Sequence, residues 1–217
     1  MKKILLLLVF GISMMSSYAL DQSAVQLKNE GNEALRNKDY KTALAKFEAY
    51  LATGEEGVAE DLATVYNAGY SAYKAKAYDK SINYMQKAID EKYSKAEKAY
   101  QYIAYCYKKK KDVANYEATL KTGLEAFPQS VKIKGKLVQH YLGEGNNHYS
   151  KAAKILQAAA AQVSAGKYTT EDDAYKAELG KAKEEFKVAL PFVEQALALD
   201  PANETAKTLK ENIQKNL

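Results

Sequence analysis

The residues of this chain that could carry catalytic or metal-binding chemistry are few, and their spacing fits neither kind of site. His140 and His148 lie eight residues apart with a glycine-rich stretch between them, and no HExxH or CxxC motif accompanies them. Cys106 is the only cysteine, so it forms no disulfide within the chain and is expected to be a small packed residue. Residues 143–147 are not a phosphate loop, because no strand pattern precedes them and no Lys-Ser/Thr pair follows. The sequence therefore predicts no enzymatic activity, no metal and no cofactor.

A repeated pattern organises the chain. Two copies place a glycine and four further residues at identical offsets of nine, twelve, sixteen and nineteen: Gly31, Tyr40, Ala43, Phe47, Tyr50 and then Gly69, Tyr78, Ser81, Met85, Ala88. A looser third copy is Ala104, Val113, Tyr116, Leu120, Gly123. Repeats of about 35 residues are typical of stacked helical hairpins, in which each hairpin covers the apolar stripe of its neighbour. Gly31 and Gly69 are expected where the two helices of a hairpin approach closely.

Helical periodicity covers almost everything after residue 20, and no strand pattern is present, so the predicted fold class is all-α. The predicted helices of the first three hairpins are 22–37 and 40–52, 58–75 and 79–91, 95–109 and 112–126. A fourth hairpin is predicted to begin near Ser130, turn through residues 143–147 and continue over 149–163. Thr170 and Asp173 resemble a capping box that starts a helix over 171–199, which Pro191 kinks without ending. The last predicted helix is 202–216.

These residues resemble the tetratricopeptide-repeat family. The matches are the small residue of each first helix, the aromatic residue that opens the second helix, the apolar stripe, and the closing pairs Phe127-Pro128 and Asp200-Pro201. The resemblance implies a right-handed superhelical solenoid over residues 20–217, with repeats near 24–57, 62–95, 97–130 and 131–163 and a divergent C-terminal unit at 170–217. It also implies a concave groove, lined by the first helix of each pair, that binds a peptide or protein partner.

One branch of this family grips the C-terminal carboxylate of a peptide with lysines and asparagines. The positions of this chain that match the branch are Lys28, Asn32, Asn67 and Lys98, whereas Tyr102 stands where the branch usually has a basic residue. Ammonium groups would neutralise the carboxylate while amides hold the peptide backbone. The alternative is that these residues are ordinary solvent-facing positions.

Tyrosine is unusually frequent, with eighteen copies and no tryptophan. Tyr66, Tyr70 and Tyr73 fall on one helix face and are expected to lie on the inner surface with Tyr105. Aromatic side chains favour interfaces because they bring a large contact area at a small entropic cost. The sequence leaves two alternatives for these four tyrosines, which are contact with a partner and packing against neighbouring helices.

The first nineteen residues have the three parts of a secretory signal peptide, which are two lysines, the apolar stretch 4–12 and a small-residue end at Ala19. Cleavage after Ala19 predicts an exported, periplasmic or secreted protein with no integral membrane segment, and no cysteine lies near that point to make it a lipoprotein. An uncleaved membrane anchor is the alternative.

The charge pattern argues against a nucleic-acid partner. The formal charge is +5, the basic residues are almost all lysine, and acidic residues are interspersed with them. The sequence thus predicts a non-catalytic interaction or scaffold protein of the cell envelope. Two alternatives remain, which are a receptor for C-terminal carboxylates and an accessory protein that binds glycans or polymers through its tyrosines.

Overall fold

The computed structural model describes residues 23–217, and within that range the secondary structure consists of nine α-helices without a strand. The helices are α1 (Ala24–Arg36), α2 (Tyr40–Ala52), α3 (Leu62–Lys74), α4 (Tyr78–Asp90), α5 (Ala96–Lys110), α6 (Val113–Ala126), α7 (Val131–Ser164), α8 (Asp173–Leu199) and α9 (Glu204–Gln214). Consecutive helices pack on one another as antiparallel hairpins, so the predicted helical-hairpin solenoid is confirmed. The predicted signal peptide, residues 1–19, lies outside the described residues.

The first three hairpins follow the repeated pattern closely. Tyr40 and Tyr78 are the first residues of α2 and α4, as predicted. A Cβ atom on Gly31 would lie 2.6 Å from the Phe47 ring, and one on Gly69 would lie 3.1 Å from Met85. Both glycines therefore mark the close approach of paired helices, which confirms their predicted role.

Helix α3 begins four residues later than predicted, because Asp61 caps its N-terminus. The Asp61 carboxylate accepts a hydrogen bond from the backbone N–H of Thr64 at 3.0 Å, which satisfies a donor that the first turn leaves free. The preceding residues form turns, and among them Val58 is buried against Ala24, Leu27 and Tyr50.

The predicted turn at residues 143–147 is wrong. Helix α7 runs without interruption for 34 residues, so residues 131–163 form one long helix and not a hairpin. Gly145 serves close packing against α8, whereas a Cβ atom on Gly143 would meet nothing within 4 Å. A Cβ atom on Gly145 would lie only 2.7 Å from Cγ2 of Val193.

The partner of α7 is α8, which continues through Pro191 as a single helix, so the prediction that this proline does not end the helix is confirmed. Helix α8 starts at Asp173, not at 171, and its N-cap residue is Asp172, so the capping role predicted for Thr170 is wrong. The Asp172 carboxylate instead accepts a hydrogen bond from the backbone N–H of Thr169. At about 1.5 Å per residue the α7–α8 hairpin is roughly 50 Å long, against about 20 Å for α6.

The buried apolar residues of the described range, 23–217, form one large cluster and three small ones. The large cluster extends from Ala104 in α5 through α6, α7 and α8 to Ile213 in α9. The N-terminal hairpins are held by smaller clusters, such as the one between Met85, Ala99 and Ile103. Helix α9 covers the end of the α7–α8 hairpin with Ala206, Leu209 and Ile213.

Candidate functional site

Eight tyrosine rings form one continuous group centred on α3 and α5, the first helices of the second and third hairpins. We call it the tyrosine cluster; adjacent rings have centroids 5.4 to 6.4 Å apart. Its members are Tyr40, Tyr66, Tyr70, Tyr73, Tyr78, Tyr93, Tyr102 and Tyr105. All eight ring contacts are edge-on or tilted, and the charge distribution of an aromatic ring favours the edge-on arrangement over face-to-face stacking.

Tyr102 is the centre of the tyrosine cluster. Its ring lies 5.5 Å from Tyr70, 5.4 Å from Tyr73 and 6.3 Å from Tyr105. Burial and then the neighbouring hydroxyls raise the pKa of Tyr102 to about 12. In the sequence this residue counted only as a departure from the carboxylate-binding pattern. Its spacing of three from Tyr105 could have placed it on the same helix face.

The four tyrosines predicted for the site differ in exposure. Tyr66 is only 5% exposed and packs against Met85 and Ile103, so its role is that of a core residue. Tyr70, Tyr73 and Tyr105 are half-buried, as is Tyr102, and each keeps part of its surface open to solvent. The structure therefore joins all four predicted residues but leaves three of them available to a partner.

Three lysines lie over rings of the tyrosine cluster. The Nζ atoms of Lys74, Lys95 and Lys136 are 5.3, 5.3 and 4.6 Å from the ring centroids of Tyr40, Tyr66 and Tyr105. An ammonium group at this distance is attracted by the electron-rich face of the ring. Within residues 23–217, none of these three ammonium groups forms an ion pair with a carboxylate. The tyrosine cluster is thus bordered by three ammonium groups that have no carboxylate partner in the part of the chain that the structure describes.

The residues of the predicted carboxylate clamp are in different situations. Nζ of Lys28 forms an ion pair with Oδ2 of Asp61 at 2.7 Å and lies over the Tyr50 ring. Asn32 and Asn67 are half-buried, and Lys98 is exposed. Because Asp61 already occupies Lys28, a peptide carboxylate would have to compete with an existing ion pair there. The clamp stays a prediction.

Asp61 links the first two hairpins through a compact hydrogen-bond network. Besides Lys28, its carboxylate accepts hydrogen bonds from the hydroxyls of Tyr50 at 2.9 Å and Thr64 at 2.8 Å. Burial alone would raise the pKa of Asp61, but the hydrogen bonds from Lys28, Thr64 and Tyr50 together outweigh burial and lower the pKa to about 2. The role of this carboxylate is structural.

The two histidines belong to separate pairs. Nε2 of His140 lies 3.3 Å from Glu117, and Nδ1 of His148 lies 2.6 Å from Glu185. Cys106 is fully buried, and burial raises the pKa of its thiol. Over residues 23–217, no three His, Cys, Asp or Glu side chains are grouped as a metal ion would need. In the same range no helix is both long and apolar enough to cross a membrane.

Comparison with solved structures adds a decisive similarity. The crystal structure of a TPR repeats protein from Bacteroides fragilis superimposes on this chain with a TM-score of 0.54. The two sequences are 26% identical, and the match covers 90% of this chain and 99% of the other. The chain has a tetratricopeptide-repeat fold. The pairs α1–α2, α3–α4 and α5–α6 are the hairpins of this fold, and the tyrosine cluster lies mainly on its first helices.

Two further solved structures show lower similarity. The TPR2AB domain of yeast Sti1, in a complex with pHSP90, is 17% identical at a TM-score of 0.43, over 88% of this chain and 83% of that one. YrrB, a TPR protein with an unusual peptide-binding site, is 16% identical at a TM-score of 0.43, over 87% of this chain and 92% of its own. No protein-family model matches the sequence, and no curated protein matches it.

Proposed function

We propose that this protein is a non-catalytic interaction module of the cell envelope that binds a peptide or protein segment across the tyrosine cluster. The observation that carries the proposal is the group of half-buried rings on α3 and α5, formed by Tyr70, Tyr73, Tyr102 and Tyr105. These rings are held by one another, so a partner gains aromatic contact area without having to order flexible side chains.

The test is to select peptides on the purified protein from an unbiased displayed library and to measure their affinity by calorimetry. We expect Tyr70→Ala and Tyr105→Ala each to weaken binding at least about tenfold, which corresponds to roughly 1.4 kcal/mol. The matched control is Tyr175→Ala, because Tyr175 contacts Tyr168 near the connection between α7 and α8 and belongs to no part of the tyrosine cluster. Unchanged affinity in both cluster variants, with folding verified by circular dichroism, would place the binding surface elsewhere.

The envelope location rests on the N-terminal sequence and has its own test. Expression in a Gram-negative host followed by N-terminal sequencing of the periplasmic fraction should give a chain that starts at Leu20. A product that keeps Met1 and stays in the membrane fraction would support the anchor alternative.

Two narrower functions can be separated in the same assay. A carboxylate clamp requires that amidation of the peptide C-terminus abolish binding and that Lys98→Ala weaken it. A glycan-binding role requires retention of envelope polysaccharide that Tyr70→Ala reduces. The structure offers little flat ring surface for a sugar, because lysines lie over Tyr40 and Tyr105 and the other rings are tilted against each other.

A further inference from the structure

Two first helices, α3 and α5, and the start of α7 carry an excess of positive charge, whereas α1 is balanced, with Lys28 and Arg36 against Glu30 and Glu33. Helices α3 and α5 and the start of α7, residues 131–142, contain eight lysines, which are Lys74, Lys98, Lys108, Lys109, Lys110, Lys132, Lys134 and Lys136. Their only carboxylate is Glu97, and its Oε1 accepts a hydrogen bond from the Ser130 hydroxyl at 2.6 Å. Lys110 forms an ion pair with Asp79 of α4, whereas the other seven lysines form no ion pair with a carboxylate among residues 23–217. The chain thus concentrates lysines without an acidic partner on the helices that bear most of the tyrosine cluster.

The second helices are balanced by contrast. Helices α2, α4 and α6 contain five lysines and five carboxylates: Lys41, Lys46, Lys80, Lys87 and Lys121 against Glu48, Asp79, Asp90, Glu117 and Glu125. Several of these are paired, such as Lys80 with Glu48 at 2.7 Å and Lys121 with Glu117 at 2.6 Å. The excess of positive charge is therefore concentrated on α3, α5 and the start of α7 and is not spread evenly over the helices.

The ammonium groups nearest to the tyrosine cluster remain able to bind an anion. Lys136, at 4.6 Å from the Tyr105 centroid, uses one side of its ammonium for the ring and keeps other N–H donors free. The neighbouring tyrosine hydroxyls are donors as well. A tyrosine hydroxyl is protonated at neutral pH, and burial raises the pKa of Tyr70, Tyr73 and Tyr102 further. The surface thus offers donors of both kinds beside apolar rings.

We infer that the segment bound on the tyrosine cluster is an acidic peptide, with carboxylates on Lys74, Lys95 and Lys136 and apolar side chains on Tyr70, Tyr102 and Tyr105. The inference rests on the proposed function and names the chemistry of its partner. Complementary charge increases the association rate and excludes basic competitors. The recognised carboxylates are side chains, so the peptide needs no free C-terminus. A nucleic acid fits less well, because arginine, the usual contact for phosphates and base edges, is absent from these helices.

The experiment uses two fluorescein-labelled peptides of about 12 residues, which span roughly 40 Å when extended. One alternates glutamate with phenylalanine, and the other has glutamine in place of every glutamate. Fluorescence anisotropy with the purified protein should show the glutamate peptide binding at least about tenfold more tightly than the glutamine peptide. This advantage should shrink as salt is raised from about 50 to about 300 mM, because salt screens exposed charges.

Two triple variants with the same change in net charge distinguish the effect of the lysines at the tyrosine cluster from the effect of the protein's overall charge. Lys74→Gln/Lys95→Gln/Lys136→Gln should lose at least about tenfold in affinity for the glutamate peptide. The control, Lys151→Gln/Lys154→Gln/Lys183→Gln, changes exposed lysines of α7 and α8 and should stay within about twofold of the native protein. Residues 151 and 154 lie more than about 20 Å along α7 from Lys136.

The outcomes distinguish this inference from the proposed function. Equal affinity for the two peptides, equal loss in both triple variants, or no binding of the glutamate peptide each overturns the acidic partner. If Tyr70→Ala nevertheless weakens binding of the library-selected peptides, the proposed function stands without the acidic partner. If neither the tyrosine variants nor the first lysine variant affects the binding of any peptide, both the proposed function and the acidic partner are overturned. Retention of an acidic polysaccharide in place of the peptide would assign the same charges to a glycan.

Discussion

At the scale of single residues, two buried tyrosines of neighbouring helices show opposite uses of the hydroxyl group. The Tyr50 hydroxyl donates to Asp61 at 2.9 Å, whereas the Tyr66 hydroxyl is buried and finds no hydrogen-bond partner among residues 23–217. A buried hydroxyl that loses its contact with water and gains no partner is unfavourable by roughly 1 to 3 kcal/mol. The ring of Tyr66 therefore stabilises the fold by packing, whereas its unpaired hydroxyl destabilises the fold.

The first prediction follows from this contrast. Tyr66→Phe keeps the ring and removes the unpaired hydroxyl, so it should leave the free energy of unfolding unchanged or raise it by about 1 kcal/mol. Tyr50→Phe removes a hydrogen bond to a carboxylate and should lower the free energy of unfolding by about 1.5 to 3 kcal/mol. Urea denaturation followed by circular dichroism measures both. A clear loss of stability in Tyr66→Phe would mean that its hydroxyl has a partner in solution.

The second prediction concerns the pH dependence of the Asp61 network. The folded protein holds the pKa of Asp61 near 2, below its ordinary value of 3.8, so the unfolded chain takes up the proton first as the pH falls. The stabilisation from this group is fully present above the ordinary pKa and disappears as the pH falls through the folded value. Asp61→Asn should lower the free energy of unfolding by about 2 to 3 kcal/mol at pH 7. The difference from the native protein should shrink as the pH falls from 3.8 to about 2. A constant difference across that range would exclude Asp61 as the titrating group.

At the scale of helices, α7 shows where pattern and packing disagree. Its glycines and asparagines are typical of a turn, and the sequence alone predicts one there. The tertiary contact decides otherwise, because α8 approaches so closely at Gly145 that only a residue without a side chain fits. Whether a glycine marks a turn or a close approach depends on a helix some 45 residues further along the chain, which local periodicity does not report.

The third prediction compares two glycines of α7. Gly145→Ala places a methyl group 2.7 Å from Val193, so it should lower the free energy of unfolding by about 1 to 3 kcal/mol. Gly143→Ala meets nothing within 4 Å and replaces glycine in a helix interior, so it should raise that free energy by about 0.5 to 1 kcal/mol. Thermal or urea denaturation of the two variants tests the expected opposite signs.

The fourth prediction concerns the turns between helices. Lys38, Lys76 and Lys111 follow α1, α3 and α5 with φ between 61° and 65°, a backbone region that glycine tolerates best. Replacing each lysine by glycine should raise the free energy of unfolding by about 0.5 to 1 kcal/mol, nearly additively because the sites are distant. Lys154→Gly, at an exposed position in the interior of α7, is the matched control and should lower it by about 1 kcal/mol. A loss of stability at all three turns would mean that the lysine side chains stabilise them.

At the scale of the whole molecule, stability is distributed unevenly along the solenoid. The cluster that ties α5 to α9 includes large buried side chains such as Leu120, Ile133, Phe186 and Ile213. Among the described residues, the outermost buried cluster of α1 consists of Ala24, Leu27, Tyr50 and Val58, with Leu51 packed against it. In a repeat array each hairpin is stabilised by its neighbours, and α1–α2 has a hairpin on one side only among the described residues.

The fifth prediction is a gradient of protection in amide hydrogen exchange. Helices α1 and α2 should exchange fastest, through local opening, and the central parts of α7 and α8 slowest, close to the rate of global unfolding. Exchange followed by peptide mass spectrometry resolves the two ends. Uniform protection from α1 to α8 would show instead that the chain unfolds as a single cooperative unit.

Much of this architecture could be predicted from the sequence, but the composition of the site could not. The offsets from Gly31 and Gly69 predict the first two hairpins with their close contacts, and helical spacing places Tyr66, Tyr70 and Tyr73 on one face. The central position of Tyr102 and the burial of Tyr66 depend on how α3 and α5 pack. Spacing within one helix carries no information on the distance between α3 and α5. The sequence therefore predicts the tyrosines of each helix but not that Tyr102 lies at the centre of the cluster.

The tyrosine cluster also gives the protein intrinsic spectroscopic signals. Because the chain contains no tryptophan, no indole acceptor drains energy from excited tyrosines, and their emission dominates the fluorescence of the molecule. Rings held 5.4 to 6.3 Å apart around Tyr102 also couple their electronic transitions, which gives the folded protein a near-ultraviolet circular-dichroism signal of its own. A segment that docks on these rings alters both signals, so its binding can be followed on the native chain without a label.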